Sequence, residues 1–162
     1  ADVVRRAHVA RKTLYDNFSG KEELFLAAFD ATLADAEAEV TEACDSVSTD
    51  DWVVRTEAGL RALLEVVAAH PQESKLCLVE APAATPTSAA RYDAALEGFI
   101  ARLSEAAPTG PGRPATLEEA LVGGTVWIVQ RQVRRGDATD AAELLPELAG
   151  FVISPYRNVG KR

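Results

Sequence analysis

The sequence predicts an all-α fold, and three observations carry the prediction. Apolar residues recur three and four positions apart through most of the chain, the mark of helices with one buried face. No stretch alternates polar and apolar as a half-buried strand would. Alanine and leucine dominate while aromatics make up 6%, a composition that favours helix. The 162 residues suit one medium domain, or one domain with a fragment of another, and with 48% hydrophobic residues the chain is globular. There is no internal repeat and no low-complexity tract.

Residues 2–7 read as the tail of a helix, and His8 and Val9 interrupt it. Residues 10–17 form a second, short helix; with Ala10 as N-cap, Val9 and Leu14 have the spacing of a hydrophobic staple. Ser19 and Glu22 stand as a capping box, and Leu24, Phe25, Ala28, Phe29 and Leu33 follow at helical spacing. A long helix to about residue 44 is therefore expected. Thr49 or Asp50 caps the next one, whose stripe is Val53, Leu60, Leu63, Leu64 and Val67. His70-Pro71 ends or kinks it, because a residue before proline disfavours helix. A shorter helical piece spans 72–80, and "APAATPTS" breaks it. Tyr92, Leu96, Phe99, Ile100 and Leu103 mark a helix over 87–106, and "PTGPGRP" is an exposed loop.

Residues 116–135 differ, since "LVGGTVWIVQ" carries no charge and is apolar on both sides. A helix apolar all round is buried on two faces. A partner subunit is the expected second surface, with Gly123 and Gly124 letting two helices approach closely. The final segment, 140–153, leaves little polar face, and Pro146 kinks it or opens its last helix. The expected dimer interface is Val122, Gly123, Val126, Val129, Val133, Leu148, Phe151 and Val152, in a four-helix bundle. The opposing reading buries both helices within one protomer.

The formal net charge is -8, yet residues 1–21 hold Arg5, Arg6, Arg11, Lys12 and Lys21 against only Asp2 and Asp16. A basic end on an acidic body suits a polyanionic partner for that end alone. Two short helices with a turn at His8-Val9 make a helix-turn-helix. Its second helix would offer Arg11, Lys12 and Thr13 to base edges and phosphates, with Tyr15 and Asn17 at its far end. Lys21 falls in the first turn of the long helix, where the macrodipole disfavours a cation and a docked phosphate would be welcome.

Other classes find little support. Two cysteines, Cys44 and Cys77, make no disulfide framework and read as reduced thiols of a cytoplasmic protein. His8 and His70 have no ligand-like spacing, so neither metal nor cofactor is expected. No G-x-S-x-G, paired histidine and acid, or P-loop points to an enzyme. No apolar run reaches the length of a membrane span, and no signal peptide is present. The lack of methionine and the opening "ADVV", which reads as the middle of a helix, predict that the true N-terminus is missing.

"VVRRAHVARKTLYDNFSGKEELFLAAFD" resembles the DNA-binding end of the TetR family of transcriptional regulators. "LLPELAGFVISPYRN" is similar to the close of many such proteins. Departures are His8, where glycine is usual, Ala10 in place of a Ser or Thr cap, and the absent first helix. The resemblance implies a truncated helix-turn-helix head over 1–34 and a helical ligand-binding and dimerisation body over 35–162. In it, Tyr15 and Lys21 hold phosphates, and Phe18, Leu24 and Phe25 join head to body. The implied function is that of a homodimeric repressor on a palindromic operator in double-stranded DNA, released by a small-molecule effector. A helical dimerisation or ligand-binding module without DNA binding is the alternative. The implied pocket lies among the middle helices, with Trp52, Tyr92, Phe99 and Trp127 as walls and Gln130 as a polar contact. Plain core packing is the competing reading for each of these five.

Overall fold

A computed structural model describes residues 18–49, 51–110 and 113–157. The fold is all-α, and no strand occurs among the described residues. The expected turn and second helix of the head, residues 2–17, lie outside them. The order is α1 (Lys21–Ser46), α2 (Trp52–Ala69), α3 (Pro71–Lys75), a π turn (Leu76–Glu80), α4 (Ala81–Ala84), α5 (Pro86–Ala106), α6 (Leu117–Arg135), a 3-10 passage (Ala138–Leu144), α7 (Leu145–Ile153) and a closing 3-10 turn (Ser154–Tyr156).

Each boundary has a local cause. The Ser19–Glu22 capping box is corrected by one position: Gly20 is the N-cap of α1, and Glu23 closes the turn. The Ser19 backbone N–H and hydroxyl both donate to the Glu23 carboxylate, at 2.6 and 2.5 Å. Those bonds lower the pKa of Glu23. Neither Thr49 nor Asp50 caps α2; Asp51 does, accepting from the Val53 N–H at 2.9 Å. Thr85 opens α5 with a reciprocal pair, its Oγ1 taking the Ser88 N–H while the Ser88 hydroxyl takes the Thr85 N–H. Pro86 sits in the first turn of α5, where its missing N–H costs nothing. The predicted break over 81–88 therefore narrows to Thr85, and Ala81–Ala84 stays helical. Gly136, at φ 88°, supplies the left-handed residue that ends α6. Pro146 opens α7 instead of kinking a longer helix.

The π turn has a cause in the sequence as well. Pro82 has no N–H to give the carbonyl four residues back, that of Leu78. Gln130 on α6 reaches across and donates its side-chain N–H to that carbonyl. A part-buried carbonyl is thus satisfied, and the irregular passage is tied to α6.

The main core gathers α2, α6, the 3-10 passage and α7 around Leu64, Val67, Val129, Val133, Leu145, Leu148 and Ile153. A second cluster seats the chain's close: Tyr156 packs with Ala107 and Leu121, edge-on to Trp52 with ring centroids 4.7 Å apart. Its hydroxyl donates to the buried Glu118 carboxylate at 2.6 Å, and Arg113 stands 3.4 Å from the same carboxylate. Burial first, then the bond to Glu118, raises the pKa of the phenol.

The protomer itself already covers half of the eight residues expected at the interface. Val129, Val133, Leu148 and Val152 are buried within their own protomer. Val122 and Val126 line a partly open cavity. The two apolar sides of α6 therefore have two owners inside one chain, a core and a void. What remains outside is Gly123, Trp127 and Phe151.

Candidate functional site

α1 is apolar along one side, yet among its described residues only Leu26 and Phe29 are buried. Beyond Phe29, its inward residues Thr32, Leu33, Ala36 and Val40 wall a cavity of about 690 Å³. α2 contributes Leu60 and Leu63, α5 contributes Tyr92, Leu96 and Phe99, and α6 contributes Leu121, Val122 and Val126. The volume falls in the range of small-molecule sites, which run from about 300 to 1,000 Å³ and are mostly apolar.

α1 and α5 scarcely meet along their backbones. Ion pairs span the gap instead: Arg91 with Asp30, and Arg102 with Glu37 at 2.9 Å. The Arg102 guanidinium also lies over the Phe99 ring, 4.6 Å from its centroid. Arg55 on α2 pairs with Asp45 on α1 at 3.2 Å. These pairs are at least one-third exposed, so each contributes little to stability. Their value lies in position: Arg102–Glu37 and Arg55–Asp45 stand on the cavity wall, and Arg91–Asp30 ties α1 to α5 outside it.

Trp52, Tyr92 and Phe99 line the cavity. Trp127 does not; it is 56% exposed, on the outer face of α6, under the Arg131 guanidinium. Gln130 does not either, because its amide is spent on the Leu78 carbonyl. Several wall residues escaped the sequence reading. Thr125 is buried and its hydroxyl has no partner; the same holds for the Trp52 Nε1–H, among the described residues. Both cysteines stand on the wall. Burial pushes Cys77 up to about 11, against a hydrogen bond with Thr32, and raises Cys44 too. Burial also raises Tyr92. Only an apolar stripe on α1 longer than its core contacts require could have signalled the cavity.

The thiol of Cys77 should accordingly be inert. From 9.0 to about 11, its thiolate fraction at pH 8 falls about a hundredfold. Alkylation by iodoacetamide at pH 8, followed by mass spectrometry, should label Cys77 about a hundred times more slowly than a free thiol of ordinary pKa. Labelling at the ordinary rate would show that the wall opens to water.

At the other end of α1, Lys21 is the first helical residue and is exposed, with Glu22 and Glu23 in the same turn. Glu23 is held by Ser19, which turns one of these acids back toward the helix start. Arg11, Lys12, Thr13, Tyr15 and Asn17 lie outside the described residues.

A helical body joined by one continuous helix to a basic, helix-turn-helix-patterned segment has the construction of a DNA-binding transcription regulator. Residues 1–28 match the model of the bacterial regulatory proteins of the tetR family, and that match supports membership of the TetR family. Comparison with curated proteins and with solved structures gives no significant match.

Proposed function

We propose that this protein is a homodimeric TetR-type repressor, cytoplasmic, whose hold on a palindromic operator is released when a small molecule fills the cavity. One observation carries the reading: the cavity is walled by α1, the helix whose first residue is Lys21. At 26 residues α1 is about 39 Å long, so a tilt of about 5° at its Ser46 end moves the Lys21 end by roughly 3 Å. Two heads must meet successive major grooves about 34 Å apart, so a shift of this size in each protomer is enough to spoil the fit. A ligand wedged between α1 and α5 favours the arrangement in which Asp30–Arg91 and Glu37–Arg102 are stretched. It shifts the equilibrium by the difference in its affinity for the two arrangements.

In the head, Arg11, Lys12 and Thr13 read the groove, and Tyr15, Asn17 and Lys21 hold the backbone. The dimer forms through the outer faces of α6 and α7, where Trp127 and Phe151 are the exposed large apolar residues. Phe151 lies across Gly124, where a side chain would have its Cβ 3.0 Å from the ring. That glycine lets the aromatic flatten against α6 and present a continuous apolar face.

Selection of bound sites from random duplex DNA with the intact protein tests the function, and a palindrome should emerge. No enrichment of any sequence would overturn it. Lys21→Ala should weaken binding about equally across sequences and lower the slope of log affinity against log salt by about 0.9, the loss of one phosphate contact. An unchanged slope would remove Lys21 from the backbone contacts.

A further inference from the structure

We propose that an apolar guest reaches the cavity between α1 and α5, through a window framed by the ion pairs Asp30–Arg91 and Glu37–Arg102, and that these two pairs set how readily the window opens. The inference rests on the reading of the cavity as a ligand site and adds the way in.

The seams of the cavity are unequal. Where α1 meets α2, Cys44 sits so close over Gly59 that a Cβ on that glycine would lie 2.7 Å from the sulfur. Leu64, Val67 and Val129, all buried, fill the space between α2 and α6. α5 packs along α6. At the start of α2, Trp52 closes against Tyr156 and Leu121. α1 and α5 have no such packing: both line the cavity, yet they scarcely meet along their backbones. The ion pairs that cross their gap, among the described residues, are Asp30–Arg91 and Glu37–Arg102.

The two pairs stand far enough apart to leave an opening. Asp30 and Glu37 are separated by about 10 Å along α1, and Arg91 and Arg102 by about 16 Å along α5. Between them the wall is Leu33 and Ala36 on one side and Ala95, Leu96 and Phe99 on the other, each only half-buried. The alanines leave room, and the passage is apolar throughout. The Arg102 guanidinium lies over the Phe99 ring, so it keeps a place at the edge of the window when Glu37 lets go. Exposed ion pairs hold weakly, so both bridges open on thermal motion, and the loss of one speeds opening about twofold to fivefold.

The test is stopped-flow binding of N-phenyl-1-naphthylamine, a neutral apolar dye that brightens out of water, to the intact protein at low salt. Asp30→Asn and Glu37→Gln should each raise the second-order entry rate about twofold to fivefold. The exit rate should stay within about twofold, because the pairs are already stretched while a guest is inside. Glu37→Arg with Arg102→Glu puts an ion pair back across the gap and should return entry to the parent rate. Asp45→Asn, which breaks the pair between α1 and α2, should leave entry unchanged. Added salt should speed entry into the parent, although the dye has no charge to screen, and should hardly affect the Asp30→Asn, Glu37→Gln double variant. Val122→Phe and Val126→Phe each fill the cavity from α6 and should weaken binding about tenfold or more, which places the dye inside. If the dye does not bind, or binds both filled variants as it binds the parent, the cavity reading falls and the way in falls with it. If the dye binds in the cavity while entry ignores Asp30→Asn and Glu37→Gln, or answers equally to Asp45→Asn, the window is overturned and the cavity reading stands. A faster exit with unchanged entry in Glu37→Gln would make that pair a grip on the guest, and it overturns the window in the same way.

Discussion

Replacing Leu148 by alanine should lower the stability of the protomer by about 2–5 kcal/mol, the range for a large core side chain cut back in a place that cannot fully collapse. Leu148 has no exposed surface and lies in the core shared by α2, α6 and α7. Its neighbours there include Leu64, also without exposed surface, and Val129 and Ile153 at 3% each. With so little free surface nearby, the methyl groups removed leave a hole. Urea unfolding followed by circular dichroism measures the effect, and the loss should include a part that does not change with protein concentration. A loss that vanishes at high concentration would return Leu148 to the subunit interface, where the sequence pattern first put it.

The second expected result is the mirror image. Trp127→Glu should convert the proposed dimer to monomer at micromolar concentration, a weakening of at least a hundredfold, while the helix content stays close to that of the parent. Trp127 is the most exposed large apolar side chain among the described residues, at 56%, and Phe151 on α7 is 40% exposed. Aromatic anchors of this kind carry about 2–4 kcal/mol or more of an interface. A carboxylate put there would be buried without a partner. Arg131, which lies over the Trp127 ring 4.9 Å from its centroid, is the nearest cation described and could soften the effect, so Trp127→Ala is the companion variant. Sedimentation velocity decides the matter. A dimer that survives both substitutions would move the interface to another face.

These two residues also show how far the sequence could be read. Helix positions were legible to within a residue or two because each depends on neighbours: the cap expected at Thr49 or Asp50 falls at Asp51, the helix expected from 87 starts at Pro86, and Pro146, read as a kink or an opening, opens α7. Ownership of the apolar faces was not legible. Val126 on a cavity wall, Trp127 on the surface and Val129 in the core lie within about one turn of the same apolar stretch, and hydrophobicity alone gives them the same rank. An empty space leaves no trace in a hydrophobic pattern, since a side chain beside a void is as apolar as one beside a neighbour. The arginine pairs were hidden for a different reason. Glu37 and Arg102 are 65 positions apart, and nothing local tells either which partner it will find. Gln130 misled because an amide in an apolar run suits a ligand and a stranded carbonyl equally well; only the position of Pro82 against Leu78 separates the two.

The bridges between α1 and α5 carry a lesson for anyone measuring DNA affinity. Exposed ion pairs fade as electrolyte is added, with a screening length near 8 Å at physiological strength. On the proposed mechanism, salt competes at the phosphates and, in the same tube, slackens Asp30–Arg91 and Glu37–Arg102, which hold α1 to α5. The slope of affinity against salt is then a compound quantity. A charge-neutral pair of substitutions, Glu37→Gln with Arg102→Gln, separates its two parts.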